Sequence, residues 1–102
     1  MSTHDFQLTY SIPETLDGSS AIARDKMRDH PDWDTVAHID TTLTGQLPLH
    51  GIIAEKRKQA EKEVKNIIKE LLEQSRKRNA LTLHASLMVC GLGEPIRFDV
   101  TA

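Results

Sequence analysis

The chain has 102 residues, of which 38% are hydrophobic, 27% are charged and 4% are aromatic, and its formal net charge is -2 at pH 7. This length and mixture are typical of one small globular domain. They exclude a collagen-like chain, a disulfide scaffold and a fully disordered chain. We therefore expect a single α+β domain over residues 1–102.

The sequence carries no sign of a membrane or of a secretory route. The longest apolar stretch, residues 85–92, is far shorter than the roughly 20 residues that a membrane-spanning helix needs. The first five residues have neither the positive nor the apolar segment of a signal peptide. Cys90 is the only cysteine, so no disulfide can form within the chain. We expect a cytoplasmic protein without a membrane partner.

The first two predicted elements are a strand and a short helix. Apolar and polar residues alternate from Phe6 to Ile12, and this period of two is typical of a half-buried strand that ends at Pro13. After a turn around Gly18, residues 20–30 predict a short helix that stops at Pro31.

Residues 34–47 alternate again, with Leu43 and Leu47 on the apolar side. The segment is long for one strand, since strands most often have roughly 5–6 residues. It is therefore either one strand that bends or bulges at Gly45, or a hairpin that breaks near Asp40.

Residues 51–78 predict a long amphipathic helix, because apolar residues recur at intervals of three and four among strong helix formers. Apolar residues are nearly missing from residues 55–59, so we expect this first part to be solvated or covered by a partner. Two further strands, residues 81–89 and 96–100, follow with a tight glycine-containing link between them.

The predicted fold is a two-layer α+β sandwich: a mostly antiparallel sheet of four or five strands with both helices on one face. If residues 34–47 form a hairpin, the order contains a ferredoxin-like β-α-β-β-α-β unit. The element order resembles that of small ferredoxin-like dimers. This resemblance rests on topology alone and implies no function and no site residue.

The positive charge is concentrated in the long helix segment. Nine of the 13 lysines and arginines lie there with five glutamates, whereas the rest of the chain has four cations and ten acids. One interpretation is a solvated face with ion pairs four residues apart. The other is a nucleic-acid-binding stripe. The cations of that stripe are Lys56, Arg57, Lys58, Lys62, Lys65, Lys69, Arg76, Lys77 and Arg78.

If the apolar sides of the strands face the helices, the other side of the sheet is polar and has no aromatic residue. This pattern excludes base stacking of the RNA-recognition-motif kind and suits either water or sheet-to-sheet packing between subunits. The residues that we predict to make protein contacts are Trp33, Thr42, Thr44, Ile52, Ile53 and Met88.

No catalytic motif is present, and we assign no catalytic residue, cofactor or metal. His38, Asp40 and His84 are weak candidate metal ligands, because imidazole and carboxylate groups share one predicted face. The sequence has no paired histidines or cysteines at metal-binding spacing and no nucleophile elbow.

These observations predict a small non-enzymatic interaction or regulatory protein. We expect it to self-associate as a homodimer, through the open sheet face or the long helix, or to bind another protein. One alternative is a nucleic-acid-associated regulator that uses the basic residues of the helix over 56–78. A second alternative is a small enzyme or metal binder around His38, Asp40 and His84.

Overall fold

The structure, a computed structural model, describes residues 2–102. Its elements in chain order are β1 (Ser2–Ser11), α1 (Ser19–Arg28), β2 (Asp34–Val36), β3 (Ile39–Leu49), α2 (Ile53–Ser75), β4 (Thr82–Val89) and β5 (Ile96–Thr101). The strands form one antiparallel sheet in the order β2-β3-β1-β4-β5. The two helices pack against each other over one face of this sheet. The predicted two-layer α+β sandwich is therefore confirmed.

The connections interleave the strands. Helix α1 joins β1 to β2 with β3 between them, and helix α2 joins β3 to β4 with β1 between them. This split arrangement is that of a ferredoxin-like unit. Strand β5 is added outside β4 by a hairpin.

Residues 34–47 form a hairpin, which settles the alternative that the sequence left open. The chain turns at Ala37 and His38, where the backbone of His38 takes a left-handed φ of 65°. The pairing of β2 with β3 shifts register between Thr35 and Val36, so β2 stays only three residues long. Because β2 is so short, residues 45–49 of β3 have no neighbouring strand on their outer side.

The core forms where the alternating strand residues meet the helix stripe. Strand β1 contributes Phe6, Leu8 and Tyr10, and all three are at most 4% exposed. From α2, the residues at intervals of three and four, from Ala60 to Ser75, are buried. A stripe at this spacing lies on one side of a helix, which explains why α2 packs along its length.

Helix α2 is shorter than the predicted 51–78 at both ends. It ends at Ser75, which is buried and donates its hydroxyl proton to the carbonyl of Leu71 at 2.7 Å. The backbone of Arg76 is already extended, so residues 76–78 lie outside the helix. The prediction that they form its last turn was wrong. Burial of Ser75 sets the end, because the chain must leave the helix there to return to the sheet.

The first turns of α2 are largely exposed to solvent, as one of the two predicted alternatives has it: Ile53 is 57% exposed, and no residue of 53–59 is buried. Two side chains nevertheless bind other parts of the chain. Arg57 donates from Nη1 to the carbonyls of Leu92 (2.7 Å) and Glu94 (2.6 Å) in the β4–β5 link. Gln59 exchanges two hydrogen bonds with the backbone of His50. Within residues 2–102, neither helix is long and apolar enough to cross a membrane.

Candidate interaction surfaces

The face of the sheet away from the helices has an uncharged centre. The strand register places Gln7 of β1 between Thr44 of β3 and Met88 of β4, and Thr9 between Thr42 and Ser86. We call these six residues the neutral patch. Met88 is 51% exposed, and Thr9 and Thr42 are within hydrogen-bonding distance through their hydroxyls (3.5 Å). Charged residues flank the patch, with Arg97 opposite Ser86 on β5.

The structure brings together three of the six residues predicted for protein contacts. Thr42, Thr44 and Met88 belong to the neutral patch, but Thr42 is only 7% exposed and therefore buried within it. Ile52 and Ile53 are exposed at the start of α2, in a separate place. Trp33 is only 5% exposed, and its ring lies edge-on to that of Phe6 at 6.2 Å between centroids. Trp33 is therefore a core residue.

A groove of about 900 Å³ runs around the free edge of β3. It exists because α1 has 10 residues against 23 in α2, about 15 Å against 35 Å, so no α1 residue reaches this end of the sheet. The apolar part of its lining is Phe6, Trp33, Leu47, Pro48 and Ile67. Its four acids are Asp5, Asp32, Asp34 and Glu63, and no lysine or arginine of the described chain lines it.

Gly45 lies at the centre of this groove, opposite Phe6 in the sheet. A β-carbon at this position would lie 2.7 Å from two ring carbons of Phe6 and 3.2 Å from the carbonyl oxygen of Asp32. The absence of a side chain lets the Phe6 ring lie on the strand and lets the loop before β2 pass close by. No pattern used to predict the surfaces pointed to this groove. Two features of the sequence could have indicated it: the interruption of the apolar alternation at Gly45 and the unequal lengths of the two predicted helices.

The free edge of β3 exposes unpaired backbone groups. Cys90 donates its N–H to the carbonyl of Asp5 at 2.8 Å, so the peptide groups of Asp5 face β4. Alternate residues of an antiparallel strand face opposite neighbours, so Phe6 and its partner Gly45 face each other. Gln46 and Pro48 therefore direct their backbone groups away from β1. Pairing with β2 stops at Thr44, which leaves these groups at the open edge.

Of the nine predicted nucleic-acid contacts, three are bound to distant parts of the chain, and of the others Lys65 forms an ion pair with Glu61 one turn away. Arg57 is bound by carbonyls, Lys56 lies 3.2 Å from Nε2 of His4, and Lys77 donates to the carbonyl of Asp17 at 2.6 Å. Arg76 and Arg78 follow the end of α2. The remaining four, which we call the lysine stripe, follow one another at intervals of four, three and four residues. They are Lys58, Lys62, Lys65 and Lys69.

The lysine stripe and the groove lie on different sides of α2. The ammonium of Lys65 is 5.5 Å from the ring centre of Phe98 in β5 and 3.9 Å from Glu61. Glu63 and Ile67, in contrast, line the groove beside β3. Residues three and four apart share a helix face, so α2 presents cations toward β5 and a carboxylate toward β3.

The three candidate metal ligands do not come together. His38 lies in the β2–β3 turn, and Asp40 pairs with Arg28 of α1 at 3.8 Å. His84 on β4 is hydrogen-bonded to Asp99 on β5 at 2.7 Å, with β1 between it and β3. No group of three histidine, cysteine or acidic side chains able to hold a metal ion occurs in residues 2–102.

A polar cluster at the start of α1 is committed to the fold. The hydroxyl and backbone N–H of Ser19 donate to the carboxylate of Asp17 at 2.6 and 3.0 Å. These bonds, with a smaller contribution from the Thr15 hydroxyl, lower the pKa of Asp17 to about 2. The N–H of Ser20 donates to the Thr15 hydroxyl at 3.0 Å. The side chains thus satisfy backbone donors that the first helical turn leaves open.

Comparison with known proteins adds no assignment: no family model, no curated protein and no solved structure matches this chain.

Proposed function

We propose that the protein is a non-enzymatic interaction protein that self-associates through the neutral patch. The observation that carries the proposal is the uncharged centre of this sheet face in a chain with 27% charged residues. Small neutral side chains allow two sheets to approach closely, and the half-exposed Met88 supplies an apolar contact at the middle. A small domain without disulfides gains stability from such an association.

The proposal also places the protein in the cytoplasm. Cys90 is exposed directly after the end of β4 and has no second cysteine to pair with. A reducing compartment keeps such a thiol from forming disulfides between copies.

Self-association is tested by measuring the molar mass by sedimentation equilibrium for the wild type and for Met88→Lys. In a two-fold interface, a residue near the axis meets its own copy, so one substitution places two ammonium groups together. We expect a dissociation constant at least about tenfold higher in the variant, since facing like charges cost several kcal/mol.

The matched control is Ala21→Lys, which adds the same charge on the exposed surface of α1. It should dimerise like the wild type. A monomeric wild type at the highest concentrations measured, or equal weakening by both variants, would refute the proposed interface.

A second candidate function is nucleic-acid binding, which the alignment of the lysine stripe supports. Its four cations lie within 12 helical residues, with about 16 Å between the first and the last, on one side of α2. Four phosphate contacts predict that the logarithm of the binding constant falls with the logarithm of salt concentration with a slope of about -3.6.

The test is fluorescence polarisation with a short mixed-sequence DNA duplex at low and then moderate salt. Lys62→Glu should weaken binding, whereas Lys26→Glu, a charge reversal on α1, should not. Absence of binding at low salt would exclude this second function and leave the first untouched.

A further inference from the structure

We propose that the groove at the free edge of β3 binds an extended, lysine- or arginine-containing peptide segment of another protein by strand addition. The outer rim of the groove includes Gln7, Thr44 and Met88 of the neutral patch, whereas its apolar floor and Glu63 lie on the helix side of the sheet, away from the patch.

The open backbone groups determine the mode of binding. Gln46 offers one N–H and one C=O at the edge, and Pro48 offers a C=O alone. An extended segment of three or four residues beside β3 exchanges a pair of hydrogen bonds with Gln46 and donates a third to Pro48. Peptide recognition at sheet edges uses these main-chain bonds for affinity and the flanking pockets for side-chain choice.

The charge of the groove determines the chemistry of the segment. Its carboxylates come from both sides of the edge: Asp5 and Asp34 from the outer face, Glu63 from α2, and Asp32 from the loop between them. Within residues 2–102, none of the four forms an ion pair. Side chains of an added strand alternate between the two faces, so cations at either set of positions meet a carboxylate.

The floor of the groove selects for an apolar side chain on the helix side. Trp33 and Leu47 are largely buried and Ile67 is half-buried, so together they form an apolar floor below Glu63. A valine or leucine that points toward α2 covers this floor, while its neighbours along the segment reach the outer carboxylates. The predicted ligand therefore alternates cationic and aliphatic residues.

A second copy of the chain is a poor occupant of the same edge. Two β3 edges side by side would bring two sets of four carboxylates together, and like charges oppose such pairing. Pro48 also removes a donor from the edge, which is how natural sheets prevent edge-to-edge association. Both features favour a short cationic segment from another protein.

The test is titration of the full chain with the synthetic peptide acetyl-Lys-Val-Lys-Val-Lys-amide. Trp33 is the only tryptophan, so its fluorescence reports occupancy of the groove directly. We expect a saturable change in its emission and shifts of the amide NMR signals of residues 45–49.

Two control peptides separate strand addition from charge attraction. A glutamate version, acetyl-Glu-Val-Glu-Val-Glu-amide, should not bind. A version methylated on the backbone nitrogens of its lysines keeps the charge but lacks the N–H donors that face Gln46 and Pro48, and it should bind at least about tenfold more weakly.

On the protein side, Asp34→Asn, on the outer face that the lysines of the peptide reach, should raise the dissociation constant by about two- to fivefold. Glu70→Gln removes one negative charge from an exposed position of α2 outside the groove and should leave affinity unchanged. The proposal is overturned by absence of binding at millimolar peptide, by equal binding of the N-methylated version, or by a peptide-free protein whose groove is already filled by a second copy.

Discussion

Gly45 is the residue on which the groove most directly depends. Alanine there would place its β-carbon 2.7 Å from the Phe6 ring, so the ring or the strand must move. We expect Gly45→Ala to lower the free energy of unfolding by about 1–3 kcal/mol, as overpacking of a core does. Urea unfolding followed by Trp33 fluorescence measures this loss. Thr44→Ala, on the opposite face of the same strand, should change stability by less than about 0.5 kcal/mol.

Tyr10 has a buried hydroxyl group without a hydrogen-bond partner among the described residues. Its ring is 3% exposed, and its hydroxyl has no hydrogen-bond partner in residues 2–102. Burial raises the pKa of this phenol above its usual value of 10.0. Since an unsatisfied buried hydroxyl costs about 1–3 kcal/mol, Tyr10→Phe should leave stability unchanged or raise it by about 1 kcal/mol. A loss of stability in thermal unfolding would contradict this reading of the site.

At the scale of elements, the start of α1 depends on an ionised carboxylate. The folded pKa of Asp17, about 2, lies below its usual 3.8, so its stabilising effect is present above pH 3.8 and is lost as the pH falls toward 2. The stability difference between wild type and Asp17→Asn should therefore shrink over this range. Urea unfolding midpoints across the range measure it.

The first turns of α2 depend on Arg57. Its guanidinium donates hydrogen bonds to two carbonyls of the β4–β5 link, and Arg57→Ala removes both bonds. We expect faster amide hydrogen exchange in residues 91–94 and a stability loss of about 1 kcal/mol. Lys58→Ala removes the neighbouring exposed cation and serves as the control. Unchanged exchange in the link would show that the two bonds contribute nothing.

Sequence periodicity predicted the elements well because their cause is local. The alternation from Phe6 to Ile12 and the stripe from Ala60 to Ser75 each follow from one buried face. The predicted end of α2 was three residues too late. Basic residues such as 76–78 are favourable in the last turn of a helix, and they are equally common in an exposed link, so the sequence did not distinguish the two. Only tertiary contacts, such as that of Lys77 with Asp17, distinguish the two.

For the whole molecule, strand order predicts a gradient of local stability. Strand β1 is paired on both sides over residues 6–9, whereas β2 has three residues at the edge. Amides of residues 6–9 should exchange with solvent only on global unfolding, and those of β2 by local opening at much lower free energy. Native-state hydrogen exchange measures both. Equal protection in the two strands would contradict the strand order.

The surfaces were harder to predict than the fold. Thr42, Thr44 and Met88 were found because alternation alone assigns them to one face. The groove was not found, because it joins Asp32, Gly45 and Glu63 from three separate segments. Its shape depends on the shortness of α1 relative to α2, and no local pattern carries that information. Alternation also placed His38 and Asp40 on one face of a single strand. In the structure His38 lies in the hairpin turn and Asp40 lies in β3.

The opposite charges on the two sides of α2 give the molecule a lateral electric polarity. The lysine stripe lies toward β5 and the groove carboxylates lie toward β3, so the field turns an approaching charged body before contact is made. A cationic chain is attracted to the side of α2 that faces the groove, and an anionic surface is attracted to the side that carries the lysine stripe. Encounters are therefore sorted by orientation, most strongly at low ionic strength, where screening is weakest and the field reaches farthest.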